Sequence, residues 1–319
     1  MRLPKTNQNY FDIALDKLEQ NHKEPVDRRY FYYLKFILGS LWIWKLLSRN
    51  FSNFSEWPVS VLSGYPIDIY QPDYVLTTAV PILFDLASFH FVHYVVPWPN
   101  ADALMFLQYM AVVSGALFVV ASERYTRITA IVFYVLVSYL WGFVFRLGQD
   151  IDAVFLLQGC LLMFAILHIE NLERYYANLR FLVIVIFVIY YFTSGINKVI
   201  DLSYAEWIKY DLVEINEAKA LAYQSEGFMW SPKLPLESGT LSEFLNVFGA
   251  LVTYIVHLIA PLLLISRSTS KIVFYWFFYT VFHFMTIFVG IMFTMNFFAW
   301  LMLMPIYKLP RRNFSDAKN

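Results

Sequence analysis

Long runs of apolar residues recur along the chain from Tyr30 almost to its end, separated by shorter polar segments. A run of about twenty apolar residues is long enough to cross the hydrocarbon core of a bilayer as a helix. We therefore predict an all-α fold, a polytopic membrane bundle of about eight transmembrane helices. The predicted spans are 30–48, 102–121, 128–146, 152–168, 181–200, 245–266, 272–289 and 291–307.

Composition supports the membrane class and excludes several chemistries. Only 15% of the residues are charged, against ~25% in soluble domains. The 11 glycines form no phosphate loop and no dinucleotide-binding fingerprint. The single cysteine, Cys160, excludes a dithiol redox motif, and we interpret it as a buried thiol. The expected partner is the lipid bilayer, and we expect no nucleic acid.

The basic residues predict the orientation of the chain. Of the 24 Lys and Arg residues, 16 fall in alternating segments, whereas residues 50–100 contain none. Because basic loops remain in the cytoplasm, both termini are predicted to be cytoplasmic, in a bacterial inner or plasma membrane. The basic segments are 1–29, 122–127, 169–180, 267–271 and 308–319.

Three regions follow from this orientation. Residues 1–29 are predicted to form a cytoplasmic amphipathic segment, 30–308 the transmembrane domain, and 309–319 a basic cytoplasmic tail. The two long loops of the domain, 50–100 and 201–244, are predicted to be external.

The first external loop contains an apolar stretch, 74–96, that is long enough to cross the membrane. Crossing there would invert every later basic loop, so we predict a re-entrant or interfacial helix. Its histidines, His90 and His93, have a spacing compatible with metal ligands. Histidines beside an apolar stretch more often form interfacial hydrogen bonds, and we predict no metal.

Ionisable residues within apolar runs are the candidate site. Lys198 closes the uncharged run 181–197, and a lysine in apolar surroundings loses its proton more readily than one in water. The alternative is a lysine that extends to the headgroups and has no chemical role. His257 and His283 lie within later spans and are predicted to act with Lys198 as catalytic groups. Arg146 ends the third predicted span beside Asp150 and Asp152, which bracket the external start of the fourth, and we interpret these residues as a structural ion pair across the turn or a further polar site.

Two ordered blocks resemble a known family. The segment 190–198, YYFTSGINK, is followed by Trp207. The second block comprises 258–267, which ends in Ser266-Arg267, then Phe282-His283, then 288–293, FVGIMF. In order and spacing these blocks resemble the vitamin K-dependent γ-glutamyl carboxylase, within the wider group of HTTM membrane domains.

The resemblance implies a mechanism and a cofactor. It implies that Lys198 is the base that deprotonates a lipid quinol of the vitamin K type, and that His283 and His257 lie nearby. It further implies that motif residues surround the quinol. These residues are Tyr190, Tyr191, Gly195, Asn197, Trp207, Gly290 and Phe293.

The chain departs from the family at three matched positions. His257 stands where the family has an acidic residue, Ile151 where it has a histidine, and Asn197 where it has a second lysine. We expect a short form that lacks the carboxylase's C-terminal soluble region. The leading hypothesis is a quinol-dependent carboxylase-like or oxidase enzyme. The alternative is a non-catalytic membrane module that matures or exports a secreted peptide, as the B subunit of sporulation-delaying toxin systems does, with a peptide or protein substrate on the external face.

Overall fold

The computed structural model describes residues 28–56, 99–145, 151–167, 172–200, 237–265 and 269–286, with positions 13, 16, 17, 213, 214 and 302. Most of these residues are helical, and none of them forms a strand. A short 3₁₀ helix, Phe51–Glu56, follows the first helix. The α-helices are α1 (Arg28–Leu47), α2 (Ala101–Val120), α3 (Glu123–Phe145), α4 (Ile151–Ile166), α5 (Leu172–Ile200), α6 (Thr240–Leu258), α7 (Leu262–Ile265) and α8 (Thr269–Thr286).

Four helical segments in the described part of the chain are long and apolar enough to cross a membrane. The protein is therefore a helical membrane protein. Eight crossings remain a prediction, because α1 carries four basic residues and the predicted span 291–307 lies almost wholly outside the description. The four segments are Ala101–Val120, Glu123–Gly142, Arg174–Thr193 and Thr240–Leu258.

The helices α1 to α4 pack on one another in chain order, and α1 also contacts α4. Aromatic side chains fill the space between them, with Trp42 edge-on to Trp141 at 5.2 Å and Phe118 edge-on to Phe164 at 5.2 Å. A small residue permits one close approach, since a Cβ at Gly115 would lie 2.8 Å from Phe133. Cys160 is buried in this core.

Helix α5 begins nine residues before the predicted span. Residues 172–180 were expected to be a basic cytoplasmic loop, but the helix starts at Leu172. The rings of Tyr175 and Tyr176 pack on Phe31 of α1, at 5.8 and 5.2 Å between centroids. This packing extends the helix through a charged sequence, because burial of an apolar face outweighs local composition.

The predicted span 245–266 is interrupted. Helix α6 ends at Leu258, the chain turns through 259–261, and α7 begins at Leu262. Pro261 explains the break, since proline has no backbone N–H and its ring clashes with the preceding turn. The N–H groups of Leu262, Leu263 and Leu264 bond three residues back instead of four.

One end of α1 is held by a carboxylate. The Oε1 atom of Glu123 accepts hydrogen bonds from Arg28 Nε at 2.6 Å, from Tyr32 Oη at 3.2 Å and from Tyr176 Oη. The donors come from α1 and α5, and the acceptor is the first residue of α3. We call these four residues the Glu123 cluster. It joins three helices at one level of the bundle.

Lys35 lies beside this cluster and is fully buried. Its Nζ donates to the Ala121 carbonyl at 2.6 Å and to Thr126 Oγ1 at 3.1 Å. Ala121 caps the C-terminal end of α2, where a cation is favoured by the helix dipole. Lys35 therefore fixes the turn between α2 and α3 against α1, which is a structural role.

Candidate functional site

The tyrosine-rich motif lies near the C-terminal end of α5. Tyr191 is buried and Tyr190 is half-buried, with their rings edge-on at 4.8 Å. Tyr191 also stacks on Phe187 at 6.3 Å, one turn earlier. The motif thus presents an aromatic surface on the side of α5 that faces α6 and α8.

Gly195 brings α5 against α6. A Cβ at this position would lie 2.7 Å from His257 Cβ and 3.3 Å from the His257 backbone carbonyl carbon. Any larger residue would need one of the helices to shift, so glycine is required for this approach. The same Cβ would lie 3.4 Å from Leu258 Cδ2, so the first block meets the start of the second, which begins about sixty residues later in the chain.

His257 is buried among aromatic rings at this contact. Its ring centroid lies 5.5 Å from Tyr191 and 5.9 Å from Phe282, to which it is edge-on. The three rings belong to α6, α5 and α8. The histidine therefore occupies the junction of three helices.

One ring nitrogen of His257 has a fixed role. Nδ1 lies 2.6 Å from the backbone carbonyl oxygen of Thr253 on the same helix. A carbonyl oxygen only accepts, so Nδ1 carries the proton, and in the neutral ring Nε2 is the basic nitrogen.

Tyr279 completes the site and was not predicted from the sequence. It is fully buried, its ring lies 5.8 Å from Tyr191, and its hydroxyl donates to the Val256 carbonyl at 2.7 Å. Phe282 was quoted only as a motif residue, yet its ring contacts His257. Their spacing of one helical turn puts both on one face of α8, but it does not show which helix that face meets.

Lys198 and Asn197 lie in α5 and His283 lies in α8, but only their backbone is described. Position 198 follows Tyr191 and Gly195 at helical spacings of seven and three, which places it on the same face of α5. His283 directly follows Phe282. Three further predicted residues, Trp207, Gly290 and Phe293, fall outside the described residues.

Metal ligation has no candidate in the described part of the chain, where no three His, Cys, Asp or Glu side chains come together. His90 and His93 are not among the described residues, nor are Arg146 and Asp150, so both earlier interpretations stay predictions.

The junction of α5, α6 and α8 brings together packed aromatic rings, the imidazole of His257 and the face of α5 that continues to position 198. Such a set of groups suits proton transfer with a flat, apolar ring compound. We call Tyr191, Gly195, His257, Tyr279 and Phe282 the junction site. No protein-family model, curated protein or solved structure matches the chain.

Proposed function

We propose that this membrane protein is a lipid-quinol-dependent enzyme, of the carboxylase-like or oxidase type, in which Lys198 is the base. The observation that carries the proposal is the contact between the two sequence blocks at the junction site. Gly195 of the first block lies against Leu258 of the second. His257, the residue just before Leu258, contacts Tyr191 of the first block and Phe282 of the second. Blocks that share a functional site are expected to meet in space.

The proposed chemistry starts with a proton transfer. The neutral amine of Lys198 takes the proton of a quinol hydroxyl, which gives an ammonium and a quinolate. In the oxidase form the quinol passes two electrons and two protons to dioxygen, and the products are quinone and hydrogen peroxide. In the carboxylase-like form, dioxygen instead adds to the quinolate, and the resulting alkoxide takes a proton from an acidic carbon. The carbanion attacks carbon dioxide, and the oxygenated quinol leaves as quinone epoxide and water.

A turnover assay with a defined quinol tests the proposal. The purified protein in lipid nanodiscs is supplied with the reduced form of a phytyl naphthoquinone, and quinone formation and oxygen uptake are recorded together. We expect protein-dependent oxidation by the wild type and its loss in Lys198→Met. Lys198→Arg should also be inactive, because a guanidinium cannot act as a base at ordinary pH.

A control lysine and two outcomes make the test decisive. Lys219→Met, in the predicted second external loop, should keep wild-type turnover. If Lys198→Arg retained full turnover, a positive charge and not a base would be needed. If the wild type oxidised no quinol and instead bound a secreted peptide at its external face, the maturation or export module would replace the enzyme.

A further inference from the structure

The break in α6 changes which backbone groups are paired next to His257. In a continuous helix, residue 261 would donate to the His257 carbonyl and Ala260 would donate to the Val256 carbonyl. Pro261 has no N–H, and the Ala260 N–H bonds to the His257 carbonyl at 3.3 Å. The Val256 carbonyl, in a fully buried residue, is thereby left for another donor.

Tyr279 supplies that donor from α8. Its hydroxyl lies 2.7 Å from the Val256 carbonyl oxygen, and both residues have no exposed surface. A buried carbonyl without a hydrogen-bond partner lowers the stability of the folded state, and the tyrosine hydroxyl removes that cost for Val256. Phe282, one turn further along α8, places its ring edge-on to His257.

We propose that Tyr279 is a positioning residue for His257. Its hydroxyl pairs the Val256 carbonyl, which loses its backbone donor when the Ala260 N–H bonds to the His257 carbonyl, and so stabilises the tightened form of this turn. Without that hydroxyl, the Ala260 N–H returns to the Val256 carbonyl and the backbone at His257 moves. The consequence for turnover rests on the proposed function, whereas the consequence for His257 does not.

The proposal predicts a specific coupling between Tyr279 and Pro261. In Pro261→Ala, residue 261 donates to the His257 carbonyl and Ala260 donates to the Val256 carbonyl, which makes the tyrosine hydroxyl redundant. Tyr279→Phe should therefore lower the thermal midpoint less in the Pro261→Ala background than in the wild type. Additive effects of the two substitutions would overturn the proposal.

The position of the ring is measured without any turnover. In protein labelled with ¹⁵N-histidine in nanodiscs, the His257 signals are identified by their loss in His257→Gln. The wild type should show a single tautomer protonated at Nδ1, and Tyr279→Phe should show a second population. Tyr275→Phe is the matched control, since this half-buried tyrosine lies one turn earlier on α8, and it should leave the His257 signals unchanged.

The last test measures quinol turnover by the Tyr279→Phe variant. If the wild type oxidises quinol, Tyr279→Phe should lower kcat by roughly tenfold or more with little change in KM, because the acid–base group is displaced while the quinol still binds. Tyr279→Phe with a lowered thermal midpoint but unchanged His257 signals would make the tyrosine merely structural and overturn the proposal. An inactive wild type with the expected change in His257 signals would overturn the proposed function alone.

Discussion

At the scale of single residues, Gly195 and His257 set the geometry of the junction site. The glycine matters for the atom it lacks, because a methyl group there would meet the His257 side chain at 2.7 Å and its backbone at 3.3 Å. The histidine matters for its imidazole, whose orientation is fixed by the bond between Nδ1 and the Thr253 carbonyl. One residue therefore controls the distance between two helices, and the other supplies the chemical group at their contact.

Gly195→Ala should destabilise the protein by about 1–3 kcal/mol, the cost of overpacking a close helix contact. Gly249→Ala is the matched control on α6, where an added Cβ has no neighbour within 4 Å. We expect the control to be neutral or to stabilise the helix by about 0.5–1 kcal/mol. The two variants are compared by thermal unfolding in detergent, and equal effects would show that α5 and α6 are free to separate.

His283→Gln tests whether the second histidine takes part in chemistry. If it does, quinol turnover should fall by roughly 10²–10⁴-fold while the thermal midpoint is preserved, the range for losing a general acid–base group. His257→Gln should have a smaller effect, because the family resemblance has an acidic residue there. Turnover that is unchanged in His283→Gln, with a small loss of stability, would leave that histidine a packing role only.

At the scale of helices, the apolar runs predicted most described elements because length and hydropathy decide which segments can cross a bilayer. The start of α5 was missed, since its first turns carry charged residues and are held by contacts of Tyr175 and Tyr176 with α1. Pro261 accounts for the break after α6. The break was not predicted because the residues on both sides of Pro261 are apolar and form one continuous hydrophobic run. Tyr279 could not be found, because periodicity on one helix does not say which residue of another helix it meets.

The Glu123 cluster connects α1, α3 and α5 through hydrogen bonds, and its contribution to the free energy of unfolding can be measured. Glu123→Gln keeps the size of the side chain but weakens its acceptor toward Arg28, Tyr32 and Tyr176. We expect a loss of about 1–3 kcal/mol in the free energy of unfolding, from weaker hydrogen bonds to a charged group. Most of it should come from Tyr176, because Arg28 is largely exposed and an exposed ion pair contributes little.

Glu243→Gln serves as its control, since this exposed glutamate lies in the first turn of α6. That variant should change stability by only a few tenths of a kcal/mol, the usual size of an exposed helix-dipole contribution. A Glu123 variant as stable as the Glu243 variant would mean that the joint between α1, α3 and α5 depends on packing alone.

At the scale of the whole molecule, the length and apolar composition of the described helices indicate a membrane protein, whereas its orientation rests on charge. The alternation of 16 basic residues among the 24 in the chain predicts that the long loops 50–100 and 201–244 face outward. The contacts within the junction site are the same in either membrane orientation of the chain. The orientation does decide from which side of the membrane a proton or a peptide substrate reaches the site.

Cysteine accessibility in a Cys160→Ala background measures that orientation. Single cysteines at Ser52, Gln149 and Gly239 should react with a membrane-impermeant maleimide added to intact cells. Cysteines at Ser122, Asn171 and Thr269 should react only after the membrane is opened, because basic segments stay in the cytoplasm. Labelling of position 269 from outside would reverse the map, and Lys198 would then meet its substrates from the cytoplasm. Labelling of position 52 from outside and of position 149 only from inside would instead show that the stretch 74–96 crosses the membrane.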